Sequence, residues 1–256
     1  MPRITVNTGP GGSALSLGCR VWGEGPVTVA FIHGNLASKD WIELAAPMLP
    51  KDLRVVGIDW RGCGDSSRPP EGDNYANYTM ARHAADMLAA LDALGIDFCH
   101  LATHSTGGII STRMLLAAPQ RFGKVLALDP VSPRGLRFDE AGLALFRAMR
   151  DDAAVARAVM ASAAASLFDA TSLGAGQMPR FRDGIAAERQ LFERILDQLG
   201  RLPDGIWLGT PVNLTREYET NELAPRMAQI GNEHLVLLGE QDGWIPAAHL
   251  RAMVEA

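Results

Sequence analysis

The run Cys99-His100-Leu101-Ala102-Thr103-His104-Ser105-Thr106-Gly107-Gly108 carries the residues best placed to do chemistry. A short apolar strand leads into a serine, and two glycines and a helical pattern follow at once. Such a strand-to-helix turn pushes the hydroxyl out at the end of a sheet. It also aims the first helical N–H groups, at the positive end of the helix dipole, at whatever the serine attacks. The chemistry is nucleophilic attack on a carbonyl, with an acyl-enzyme as the intermediate. A structural alternative is an N-cap serine opening an ordinary helix. Two carboxylates end apolar strands elsewhere, Asp129 and Asp242, and either could orient a base.

Those groups need a scaffold, and its elements follow the chain in order. Ile4–Asn7 and Ala14–Trp22 read as a hairpin split by Gly9–Gly12. Val27–Ile32 is a continuous apolar, β-branched run, as in a strand buried on both faces, and Arg54–Asp59 is the next buried strand. A helical stretch is expected around Trp41–Leu49, closed by Pro50. Thr79 caps a long helix to Leu94, with Gly95 beyond it. After the Cys99–Thr103 strand come a helix to Ala117 and the strand Lys124–Leu128. The alternation predicts an α/β fold with a doubly wound, mostly parallel sheet. From Ser132 to Ile230 helical segments such as Ala141–Arg150, Ala153–Leu167 and Ile185–Leu199 take over, and the sheet resumes at His234–Leu238. The expected organisation is a core over 1–131, an inserted helical cap over 132–230, and the core continued over 231–256.

With 256 residues, 47% hydrophobic and 21% charged, the chain can bury an ample core. A net charge of −5 without a Lys/Arg stripe excludes a nucleic-acid footprint. Cys19, Cys63 and Cys99 lie far apart without metal spacing, which points to reduced thiols and a cytoplasmic setting. No signal-peptide core and no membrane-length apolar run is present. No metal and no cofactor is expected.

Four motifs in series resemble those of the α/β-hydrolase superfamily, across the whole chain except the cap. They are His33-Gly34-Asn35 followed by Trp41; Asp59-x-Arg61-Gly62-x-Gly64-x-Ser66; the serine elbow, with Thr103 where a first glycine is usual; and Gly239-Glu240-x-Asp242-x-x-Ile245-Pro246. The nearest likeness is to cap-bearing serine esterases, cofactor-free haloperoxidases, lactonases and C–C hydrolases. The resemblance implies Ser105 as nucleophile and Asp242 as the acid, with Asp129 in reserve. It implies an oxyanion hole from the backbone N–H groups of Asn35 and Thr106. His33 is expected to buttress its loop, while His104 and Trp244 are expected to line a pocket for a small acyl substrate. The Asn35 loop also resembles that of haloalkane dehalogenases, but those carry aspartate at the elbow, so acyl chemistry is favoured here.

The family's histidine follows a last strand, farther along than the fourteen residues after Asp242. Three readings stay open. A last strand and helix, with the histidine, belong to a longer protein; or His249 serves in an altered geometry; or the chain is a non-catalytic ligand-binding protein of hydrolase fold.

Overall fold

In a computed structural model, residues 3–174 and 176–255 are described; Met1, Pro2, Ala175 and Ala256 lie outside them. Seven strands form one sheet in the order β1-β2-β4-β3-β5-β6-β7. They are β1 (Arg3–Val6), β2 (Leu15–Trp22), β3 (Val27–Ile32), β4 (Leu53–Ile58), β5 (Cys99–His104), β6 (Phe122–Leu128) and β7 (His234–Leu237). β1 and β2 make the expected hairpin, with Arg3 opposite Gly18, and β2 runs antiparallel to β4. The other neighbours are parallel. The carboxyl ends of β3, β4, β5, β6 and β7 therefore open onto one rim, where ligands of open α/β sheets bind.

Helices follow from caps and periodicity. Thr79 accepts a hydrogen bond from the Arg82 N–H and opens α1 (Met80–Ala93), and Gly95 leaves it at φ +65°. α2 (Gly107–Ala117) is buried along most of its length behind β5. The stretch Trp41–Leu49 differs from expectation: it forms two short 3₁₀ turns, Lys39–Ile42 and Ala46–Met48. Pro47 supplies no N–H to a longer helix and its ring excludes a continuous one, so the chain turns in short pieces.

Between β6 and β7 lie α3 (Glu140–Asp151), α4 (Ala153–Ala163), α5 (Ala186–Leu199), α6 (Asp204–Trp207) and α7 (Gly209–Thr220). Asp139 and Asp152 cap α3 and α4 through their carboxylates. Phe146 and Met149 join the main core, while Phe168 is enclosed by Phe181 and Phe192 in a small aromatic cluster. α8 (Ala247–Glu255) follows β7. β7 is an edge strand, and Leu235, Leu237 and Leu238 on it and just after it are exposed.

Candidate active site

β5 delivers Ser105 to the rim at φ +51°, a left-handed conformation rare for a residue with a side chain. The turn is held by backbone bonds on both sides. The Ser105 N–H donates to Leu128 O at 3.1 Å, and Ser105 O accepts from Val131 N at 2.8 Å and Gly108 N at 2.9 Å. Gly107 permits the closeness. A side chain there would come within 2.8 Å of His33 O and still closer to Ile32 O. Thr103, in the unusual first position, is fully buried in β5 between Ile32 and Ala127, so a β-branched residue fits this elbow.

The loop after β3 faces the serine. A Cβ built on Gly34 would lie 2.9 Å from Ser105 Cβ and 2.9 Å from His104 Nδ1. Asn35 follows, half-buried, and Leu36 is again left-handed at φ +54°. Among the described residues, neither the Asn35 nor the Thr106 N–H donates to a protein acceptor. His33 has the buttressing place expected of it. Its Nε2 accepts from the Trp60 N–H at 3.1 Å, so the proton sits on Nδ1, which donates to Gly34 O at 2.8 Å. Burial pushes its pKa down to about 3, so the ring is neutral.

Asp129 directly follows β6, whereas Asp242, expected at a strand end, stands in the loop beyond Leu237, where β7 stops. The Asp242 Oδ1 accepts from Trp244 N at 2.6 Å and Ile245 N at 3.1 Å, which orders the loop after β7. The Asp129 Oδ1 accepts from Gly239 N at 2.6 Å, and the residue stands at φ +40°. Each spends one oxygen on the backbone of the loop after β7 and keeps its second clear of that bond. His104 lies in the field of both. Burial lowers its pKa, and Asp129 and Asp242 oppose that. Its ring lies tilted against Trp41, the ring centroids 4.8 Å apart. Trp244 is half exposed and meets the edge of Phe146 at 6.5 Å.

The remaining histidines have other places. His83 is buried against Trp60 and Tyr78, and His100 Nδ1 accepts from Lys124 N at 2.8 Å. His249, on α8, lies over Tyr218 at 6.3 Å, and burial and Arg134 lower its pKa. Among the described residues no histidine hydrogen-bonds to Ser105 or Asp242, and none of their His, Cys, Asp and Glu side chains form a group able to hold a metal ion. No described helix is long and apolar enough to cross a membrane.

Sequence reasoning missed one part of this region. Lys39 is fully buried beside Asp59, and the two pin the loop after β3 to the turn after β4. The available signal was Asp59 itself, a carboxylate ending a buried apolar strand and therefore needing a cation.

A glycine-tight serine elbow at the carboxyl rim of a mostly parallel sheet, with the loop after β3 packed against it and carboxylates in the loops after β6 and β7, defines a class. The chain belongs to the α/β hydrolase fold family, whose model matches residues 27–256. It is 32% identical over 126 residues to a fluoroacetate dehalogenase from a Burkholderia species, covering 49% of this chain and 41% of that protein. It is 30% identical over 233 residues to the dihydrolipoyllysine-residue acetyltransferase component of the acetoin cleaving system of Cupriavidus necator, covering 90% of this chain. The chain spans 56% of that relative's length. Among solved structures, the enol-lactonase of Burkholderia xenovorans LB400 superposes with a TM-score of 0.73 at 19% identity, covering 99% of this chain and 87% of that one. An esterase from Thermogutta terrifontis superposes with a TM-score of 0.71 at 18% identity, covering 100% and 86%. These likenesses share the fold.

Proposed function

We propose that the protein is a serine hydrolase that cleaves a small apolar ester, thioester or lactone through an acyl-enzyme on Ser105. The observation that carries the reading is the left-handed Ser105, held between β5 and α2 with its hydroxyl at the rim. In this reading Ser105 Oγ attacks the carbonyl carbon and its proton passes to a histidine base. The carbonyl oxygen, now an oxyanion, accepts from the Asn35 and Thr106 N–H groups. Collapse expels the alcohol, thiol or lactone oxygen, which takes the proton, and water then hydrolyses the acyl-enzyme. Asp242 orients and charge-stabilises the histidine. Residues 132–230 act as a cap over the rim, with His104 and Trp244 lining the acyl pocket. The buried Phe146 and Met149 belong to the main core and Phe168 to the small aromatic cluster rather than to the pocket.

A second reading is a ligand-binding protein of the same fold, favoured by the lack of a histidine hydrogen-bonded to Ser105 among the described residues. One experiment separates the two. The protein, read to its stop codon, is treated with a fluorophosphonate probe and the adduct is mapped by mass spectrometry. The hydrolase reading expects labelling at Ser105, abolished in Ser105→Ala. It also expects hydrolysis of short-chain p-nitrophenyl esters that is unchanged by EDTA, and no turnover of haloalkanes. Labelling elsewhere, or no labelling alongside saturable binding of an acyl ligand, overturns it.

A further inference from the structure

The loop His33–Ser38 is short, carries a left-handed Leu36, and lies against the elbow. A strained conformation of that kind persists only where the surroundings over-determine it. Here the loop is fastened at both ends to one dipeptide, Asp59-Trp60. At the first end His33 accepts from the Trp60 N–H and stacks on its ring at 4.6 Å. At the second end Lys39 N donates to Asp59 Oδ1 at 2.8 Å. Lys39 Nζ donates to Asp59 Oδ2 and to Asp65 Oδ2, both at 2.8 Å. Asp40 adds a carboxylate oxygen 3.9 Å from Nζ. Asp59 also accepts from Asp65 N at 3.0 Å, and Gly64, left-handed at φ +46°, leaves the space its carboxylate occupies.

Lys39 and Asp59 are both fully buried. Burial alone would drive the Lys39 ammonium to lose its proton; Asp59 first, then Asp65 and Asp40, reverse this and hold it charged. A buried ion pair is weak evidence for stability, because desolvation offsets most of the attraction. What it can do is fix geometry. Resting on the serine-hydrolase reading, we propose that Lys39 is a positioning residue whose ion pairs to Asp59 and Asp65 hold the Asn35 N–H in register with Ser105. Lys39 touches no reacting atom in this arrangement; it acts through the loop it terminates.

The test is Lys39→Met in the protein read to its stop codon, with Arg113→Met as the control. Arg113 is a second partly buried cation, on α2 and paired with Glu217 of α7. Hydrogen exchange followed by mass spectrometry should show Lys39→Met losing protection, about tenfold or more, in peptides spanning 33–39, while those from α1 and β6 keep theirs. Ester hydrolysis should show kcat about ten- to a hundredfold lower with KM within about twofold, since the donor it loosens acts on the oxyanion. Arg113→Met should change neither. If Lys39→Met does not fold, Asp65→Asn removes one arm of the clamp and should give the same pattern a few-fold in size. Uniform loss of protection across the chain, or unchanged exchange in 33–39, overturns the proposal. So does a loss in KM alone. Should the wild-type protein label nowhere and hydrolyse nothing, the hydrolase reading falls, and the Lys39 role in catalysis falls with it. The exchange result still decides whether Lys39 holds the loop.

Discussion

Gly107→Ala tests the elbow most directly, because the obstacle it creates is backbone. The added methyl carbon would lie 2.8 Å from His33 O and nearer still to Ile32 O. Non-bonded carbon sits comfortably at about 3.5 Å, so α2 and the end of β3 must part by about 0.7 Å or more. No side-chain rotation relieves this, since both opposing atoms are main-chain carbonyls. Overpacking of this kind costs about 1–3 kcal/mol. The displacement also falls on the residues that bracket Ser105. A misplacement near 1 Å costs roughly a hundredfold in rate, so the folded variant should react about ten- to a hundredfold more slowly. Urea unfolding measures the first quantity and the rate of fluorophosphonate labelling at Ser105 the second. Gly231→Ala is the control: a Cβ there meets nothing within 4 Å, and it should stay within about 0.5 kcal/mol of the parent. A Gly107→Ala protein as stable and as reactive as the parent would refute the reasoning that close backbone approach requires glycine at this position.

Two further outcomes are expected. Asp242→Asn should lower kcat by about three to four decades through loss of the charge that orients the histidine, whereas Asp129→Asn should cost far less; steady-state kinetics on both folded variants ranks them, and the reverse order moves the acid to Asp129. Stability should fall as pH drops below about 6.5, because the unfolded chain protonates its imidazoles there while burial keeps His33 neutral down to about pH 3. His33→Gln should therefore lose about 2 kcal/mol less than the parent between pH 7 and pH 5 in urea titrations, and an equal loss would show that His33 does not supply the effect.

The elements that position the site were legible where local chemistry leaves little choice. β3 and α1 are readable because a continuous run rich in β-branched residues, and a capping threonine with a glycine exit beyond the helix it opens, each specify one local structure. The elbow was legible for the same reason: serine between a strand and two glycines has few other uses. Pro47 marks where that local reading failed, since apolar periodicity around it suggests a helix that the proline forbids. Lys39 was illegible in a different way. In the run Ser38-Lys39-Asp40 it reads as surface, and only the convergence of Asp59 and Asp65, 20 and 26 residues away, makes a buried ammonium tenable.

The same distinction bears on the choice between Asp242, which the motif Gly239-Glu240-x-Asp242-x-x-Ile245-Pro246 favours, and Asp129, held in reserve. Asp129 and Asp242 both end or follow apolar strands, and both accept backbone N–H groups from the loop after β7. Their difference lies in what each bond restrains. The Asp129 carboxylate bridges the end of β6 to Gly239, joining two neighbouring strands, and its own N–H donates to Leu237 O at 2.8 Å. That is a sheet-closing role, which an asparagine side-chain oxygen can still fill. Asp242 restrains only its own turn, at Trp244 and Ile245. A carboxylate held by two local N–H groups is aimed without being needed to tie strands together, which is what a group that steadies an imidazolium requires. On that ground we propose Asp242 as the acid and Asp129 as the brace.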